Sequence, residues 1–203
     1  MSAQLTRSYS ANRKASRRFK LHVTSLDKRL LTRYETVLEN QHQKWKGMTF
    51  STEPYAVSDK DKTEEGDLIY LTADSDNTIN SLDPGKTYII GGIVDRNRHK
   101  NLCLNKADKQ GIKHARLPIG DFIKMASRQV LTTNQVLEIM LEWLKEREWG
   151  EAFLKVIPQR KMPQARKEAE GRVVEGKETL GEGEQAEENV TKAAEGGECE
   201  RIN

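Results

Sequence analysis

The stretch TYIIGGIVD at residues 87–95 constrains this chain more than any other. Its apolar run, Tyr88, Ile89 and Ile90, reads as a strand that stops at Gly91-Gly92, and Asp95 follows at once. Arg96, Arg98 and Lys100 come next, with Asn97 and His99 among them. Paired glycines after a strand let the backbone approach a ligand closely or take positive φ. In open α/β sheets ligands sit just beyond the carboxyl ends of strands, so a site is expected here. Two readings stay open: an active-site loop, or an ordinary Gly-Gly turn. The stretch has neither the G-x-G-x-x-G of a dinucleotide fold nor the G-K-[ST] of a phosphate loop. Asp95 reads either as an acid–base group or as a turn cap.

The rest of the chain supplies partners for such a strand. Residues 1–14 read as a helix with Leu5 and Tyr9 on one face, and residues 19–24 alternate as a half-buried strand. Residues 26–39 are helix-like, and 45–62 form a polar connection containing a proline. Residues 68–71 read as a short buried strand and 75–82 as a brief helix, closed by the turn signal Asp83-Pro84-Gly85. The strand at 88–94 is followed by a helix at 102–110, with Gly111 as its C′ residue. A further strand at 112–117 ends at Pro118. Thr132 and Gln135 form a capping box ahead of the apolar stripe Val136, Leu137, Ile139, Met140, Trp143 and Leu144. A last helix spans 149–157 and ends at Pro158. Strands alternating with helices argue for α/β with a parallel sheet.

Composition divides the chain in two. Residues 163–203 hold eleven Glu, six Lys or Arg, six Gly and no aromatic residue. Such a segment cannot bury enough apolar surface to offset its ordering entropy, so a disordered acidic tail is expected. Of 34 basic and 31 acidic residues, the tail removes six and eleven, leaving 28 and 20. The body at 1–162 therefore carries +8 and the tail −5, and a basic body points to a polyanionic partner such as RNA.

Cys103 and Cys199 lie far apart and form no C-x-x-C pair, which fits a reducing compartment. No apolar run approaches membrane-spanning length and no signal-type segment opens the chain, so a soluble intracellular protein is expected. His22, His42, His99 and His114 lack metal-ligand spacing, and no metal is expected.

Several segments together carry a resemblance. They begin with Ile69-Tyr70-Leu71-Thr72-Ala73-Asp74-Ser75 and Tyr88-Ile89-Ile90-Gly91-Gly92-Ile93-Val94-Asp95. Lys100-Asn101-Leu102, Gly111-Ile112-Lys113, Leu117-Pro118-Ile119 and Arg128-Gln129-Val130-Leu131-Thr132-Thr133 follow. Trp149-Gly150-Glu151-Ala152-Phe153 and Pro158-Gln159-Arg160-Lys161 close the set. In order and spacing these resemble the eukaryotic type of tRNA methyltransferase that modifies N1 of guanine at the ninth tRNA position, a family of the SPOUT superfamily. A weaker match at Arg7, Tyr9 and Asn12-Arg13 extends upstream.

The resemblance implies an α/β fold of the SPOUT type: a parallel sheet with helices on both faces and a C-terminal deep trefoil knot. It implies an S-adenosylmethionine-dependent methyltransferase with S-adenosylhomocysteine as product, in a domain at 1–162 followed by the tail at 163–203. Three loops, around 71–74, 91–100 and 117–133, would form the cofactor pocket. Asp95 becomes the candidate general base. Leu71, Gly92, Leu117, Gln129, Val130 and Leu131 would contact the cofactor, and Arg96, Asn97, Arg98, His99, Lys100 and Cys103 would wrap its far side. Cys103 reads as a small buried hydrophobe and not a nucleophile. Arg7, Arg13, Lys14, Arg17 and Arg18, with Lys20, would face tRNA through phosphate contacts that fix register without reading sequence.

The alternative is a noncatalytic tRNA-binding SPOUT module that scaffolds tRNA processing. A monomer is expected, with no DNA or membrane partner, in nucleus and cytoplasm. Members of the family carry an upstream basic region and a first strand before the helix that residues 1–14 resemble. This chain starts inside that helix, as an N-terminally truncated fragment or a shortened isoform would.

Overall fold

The apolar runs at 68–71 and 87–90 lie side by side as parallel strands. The structure is a computed structural model that describes residues 1–95, 98–123 and 131–157. Its elements run α1 (Ser2–Lys14), β1 (Leu21–Val23), α2 (Lys28–Thr36), β2 (Met48–Phe50), β3 (Leu68–Leu71) and β4 (Thr87–Ile90). They continue as α3 (Leu102–Gln110), β5 (Lys113–Ala115), α4 (Ile119–Phe122), α5 (Thr133–Glu146) and α6 (Trp149–Val156). The expected acidic tail lies outside the described residues. No helix among the described residues is long and apolar enough to cross a membrane.

Three strands form a parallel sheet in the order β4-β3-β5. Successive side chains of a strand point to opposite faces, and β3 shows the consequence. Tyr70 packs with Ala107 and Ile112 on the α3 side. Ile69 and Leu71 join the larger core with Ile139, Met140, Trp143 and Phe153 of α5 and α6. Helices thus cover both faces, as a parallel sheet requires. Phe153 and Ile139 are fully buried, each worth roughly 1.5–3 kcal/mol of transfer free energy.

A second, two-stranded parallel sheet pairs β1 with β2, Leu21 opposite Met48. It packs with α1 and α2 around Leu5, Leu26, Tyr34 and Met48. Tyr9 stacks on Trp45 at 4.5 Å between ring centroids, with the rings 6° from parallel. The main-chain N–H of Thr133 donates to Gln4 Oε1 at 3.1 Å, which ties α1 to the start of α5.

Three expectations need correcting. The connection at 45–62 contains the strand β2, a three-residue element recognisable only through its pairing with β1. The helix expected at 75–82 is extended chain. Its backbone bonds go instead to the end of β5: Arg116 N–H donates to Asn77 O at 2.8 Å and Ile79 N–H to Arg116 O at 3.0 Å. Ile79 and Leu82 are buried in the core by this route, and Trp149 Nε1 donates to Asn80 O at 2.8 Å. The strand expected at 88–94 ends at Ile90, leaving Ile93 and Val94 exposed. The capping box at Thr132 and Gln135 is present, and Gly111 takes φ 66° at the end of α3.

Candidate functional site

Register brings the site together. Leu71 of β3 pairs with Ile90 of β4 on one side and Ala115 of β5 on the other, so three strands end on one line. The loops that leave them line a cleft with the first residues of α3 and α5. Its apolar wall comes from Leu71, Ile90, Leu117, Ile119, Leu131 and Val136, and its polar groups from Thr72, Asp74, Asp95, His99, Arg116 and Thr133. An apolar slot with a few convergent polar groups is the usual form of a small-molecule site.

Each loop is held by specific bonds. Thr72 N–H donates to Ala115 O at 2.9 Å, prolonging the β3–β5 pairing by one residue. Asn101 N–H donates to Asp74 Oδ2 at 3.0 Å, which fastens the β3 loop to the entry of α3. Ser75, buried, accepts from Asn77 N–H at 3.1 Å and lies 2.8 Å from His114 Nδ1. His114 Nε2 is 3.4 Å from Asp108 Oδ1, and the hydroxyl of Ser75, 1% exposed, also donates to Asn77 O at 3.2 Å, so this chain of bonds braces the loop from inside the fold. Thr133 Oγ1 donates to Gly91 O at 3.2 Å across the cleft floor.

Asp95 lies in a turn. His99 N–H donates to its Oδ2 at 2.9 Å, and Arg98 N–H donates to its carbonyl oxygen at 3.3 Å. The turn-cap reading is therefore realised, and the same carboxylate also lines the cleft. Tyr70 stands behind the cleft wall, its hydroxyl pushed well above the usual phenol range by burial and by neighbouring Cys103.

Of the residues predicted from sequence, Leu71, Asp95, His99, Cys103, Leu117 and Leu131 line the cleft. Gly92, Arg98 and Lys100 are exposed beside it and are not part of its lining. Arg96, Asn97, Gln129 and Val130 lie outside the described residues. The glycine on the wall is Gly91: a Cβ there would lie 2.7 Å from Cys103 Sγ, whereas one on Gly92 would have only Met1 Cε nearby, at 3.8 Å. Asp74 and Thr133 fall at the ends of two of the loops expected to form the pocket, but the sequence singles out neither as a contact residue; both line the cleft. Asp74 directly follows the end of β3, the position where strand-end ligands gather, and Thr133 opens the capped helix. Arg7, midway along α1, and Arg13, Lys14, Arg17 and Arg18 around its end are all exposed. Among the described residues no three His, Cys, Asp or Glu side chains converge as a metal site.

A parallel α/β sheet whose strand-end loops enclose an apolar slot edged by carboxylates defines a small-molecule-binding α/β protein. Residues 1–162 match the model of the tRNA (guanine(9)-N(1))-methyltransferase TRM10/TRM10A family, and the chain belongs to that family. It is 51% identical over 158 residues to a tRNA (guanine(9)-N1)-methyltransferase of Schizosaccharomyces pombe, covering 78% of this chain and 51% of that protein. A tRNA (guanine(9)-N1)-methyltransferase of Aspergillus fumigatus is 46% identical over 184 residues, covering 79% of this chain and 46% of that protein. The chain thus spans about half the length of the curated relatives it matches. The crystal structure of the full-length spTrm10–SAH complex is similar at TM-score 0.68 and 49% identity, over 77% of this chain and 83% of that one.

Proposed function

We propose that this chain is an S-adenosylmethionine-dependent methyltransferase acting on N1 of guanine at the ninth position of tRNA. The observation that carries the reading is the cleft at the aligned ends of β3, β4 and β5, in a chain of this family and similar to a solved complex with SAH. The fold is read as the SPOUT type, closed by a C-terminal trefoil knot, with residues 1–162 as the catalytic domain and 163–203 as an acidic tail.

The cleft suits such a cofactor. An adenosine needs an apolar slot and backbone donors and acceptors, and Leu71, Leu117 and Leu131 supply apolar walls beside strand-end backbone. At Gly91 the main chain runs so close to Cys103 that a side chain has no room. The sulfonium methyl would be supplied by the bound S-adenosylmethionine. Guanine N1 carries a proton and is a poor nucleophile until that proton leaves, and Asp95, a carboxylate lining the cleft, is our candidate to take it. A positioned base of this kind contributes roughly 10²–10⁴-fold. The His99 N–H bond to Oδ2 fixes the carboxylate's orientation at the cleft edge.

The noncatalytic reading has one observation in its favour, because that same bond gives Asp95 a structural task. One assay separates the two. The chain is incubated with methyl-labelled S-adenosylmethionine and an unmodified tRNA bearing guanine at position nine. Label recovered as 1-methylguanosine at that position is the expected result. Binding of tRNA without product would establish the scaffold reading, and neither binding nor product would remove both.

A further inference from the structure

Ser75 follows three residues that line the cleft, Thr72, Ala73 and Asp74, but is itself 1% exposed and lies outside the lining. It is the inward anchor of a turn whose other members face the site. Ser75 N–H donates to Thr72 O at 3.4 Å and Asp74 N–H to Thr72 Oγ1 at 3.3 Å. In a turn this tight, a displacement of Ser75 carries Thr72 and Asp74 with it.

His114 holds the anchor. It sits on β5 opposite Tyr70 of β3, one residue before the strand ends at Ala115. Its Nδ1 lies 2.8 Å from Ser75 Oγ, and its Nε2 lies 3.4 Å from Asp108 Oδ1 of α3. Asp74 Oδ2 in turn accepts from Asn101 N–H at 3.0 Å, at the entry of that same helix. The bonds close a circuit that leaves α3 at Asp108, crosses β5 and the β3 turn, and returns to α3 at Asn101. Asn101 takes φ 56°, a left-handed conformation sparsely populated by residues other than glycine. Such a conformation persists where the surroundings hold it. Leu102 and Cys103, directly after it, line the cleft.

Burial alone does not call for a histidine here. Tyr70, Ala107 and Ile112 pack together on this side of the sheet, and an apolar side chain would extend that cluster. A ring whose two nitrogens meet two different elements instead fixes a distance and a direction.

We infer that His114 is a positioning residue for the cofactor cleft: through the Ser75 hydroxyl it sets the turn at 72–75, and with it the wall that Thr72 and Asp74 present to the ligand. This rests on reading the cleft as the S-adenosylmethionine site and deepens that reading. His114 is not in the lining; it acts by having the wall in place before the ligand arrives, which lowers the ordering cost of binding.

The test is calorimetry of S-adenosylhomocysteine with the full chain, at a temperature where circular dichroism shows each variant folded. Ser75→Ala and His114→Ala each break the link and should weaken binding roughly two- to tenfold, the equivalent of one hydrogen bond. His114→Asn carries its amide where Nδ1 stood and should restore most of the affinity. His114→Gln carries its amide where Nε2 stood and should not. In methyl transfer the KM for S-adenosylmethionine should rise by the same factor, with kcat and tRNA affinity close to parental, as for a loss of uniform binding. Parental affinity in Ser75→Ala, even with a lowered melting temperature, would overturn the inference and leave His114 a stabilising residue. Equal affinities for the Asn and Gln variants would overturn it as well. Should His114→Ala fail to fold, Ser75→Ala decides alone, since it removes a single oxygen. A parent chain that binds no S-adenosylhomocysteine would sink the cofactor reading and this inference together, whereas a binding parent with unaltered variants would sink this inference only.

Discussion

The Thr133 hydroxyl donates to the Gly91 carbonyl oxygen at 3.2 Å, joining the first turn of α5 to the loop that leaves β4. Because the Thr133 main-chain N–H also reaches Gln4 of α1, one residue sets the spacing of three elements around the cleft. Thr133→Val keeps the shape and deletes the hydroxyl. A part-buried hydrogen bond is worth about 0.5–1.5 kcal/mol, so S-adenosylhomocysteine affinity should fall roughly two- to tenfold. Calorimetry giving the parental Kd would show that the bond does not position the cleft.

Gly91 and Gly92 should respond differently to the same change. A Cβ on Gly91 would sit 2.7 Å from Cys103 Sγ, while Gly92 faces almost open space. Gly91→Ala should cost about 1–3 kcal/mol by overpacking and weaken ligand binding, and Cys103→Ala in the same chain should restore much of both. Gly92→Ala should be close to neutral. Equal melting temperatures for the two single variants would refute this placement.

Asp95→Asn keeps a side-chain oxygen for the His99 N–H and removes the base. Under single turnover the methyl-transfer step should slow by roughly 10²–10⁴-fold, with S-adenosylhomocysteine affinity within a few-fold of the parent. A parental single-turnover rate would remove Asp95 from the chemistry and leave it as a turn cap.

Lys155 of α6 reaches back to Glu146 Oε1 at 2.6 Å and Glu142 Oε2 at 3.6 Å of α5. Hydrogen bonds from Lys145 and Lys155 hold the Glu146 carboxyl down at about 2, against an ordinary value of 4.5. A carboxyl lowered by folding stabilises the protein above its unfolded value and loses that contribution as pH falls through the folded one. The effect of Glu146 should therefore be full above pH 4.5 and disappear toward pH 2. The pair is exposed, so the effect is small and screened by salt. Melting temperature measured across pH 2–6 should fall less steeply for Glu146→Gln than for the parent. Parallel curves would show that the bridge does not contribute.

Much of this architecture was legible where the physics is local. The left-handed Gly111 after α3 and the Thr132–Gln135 box ahead of α5 both follow from backbone freedom and capping within a few residues. The apolar stripe of α5 named its buried face directly, with Leu137, Ile139, Met140 and Trp143 in the interior. The short motifs also located the strand-end loops, and Leu71, Asp95, His99, Cys103, Leu117 and Leu131 do meet in one cleft.

What tertiary structure decided is everything that depends on a distant partner. Residues 75–82 read as a brief helix, but most of them are Ser, Asp, Asn and Thr, weak helix formers, and bonds to Arg116 make extended chain the better solution. The strand β2 exists because β1 lies beside it. Asp74 and Thr133 stand where a strand ends and a helix begins, but what each holds is decided by a bond to Asn101 or Gly91, 27 and 42 residues away. Lys44 and Lys46 are unremarkable in sequence, and the fold brings them beside Arg13, Arg18 and Lys20. Turn and cap chemistry is written in neighbouring residues, whereas pairing, burial and charge convergence are properties of surfaces that meet only once the chain has folded.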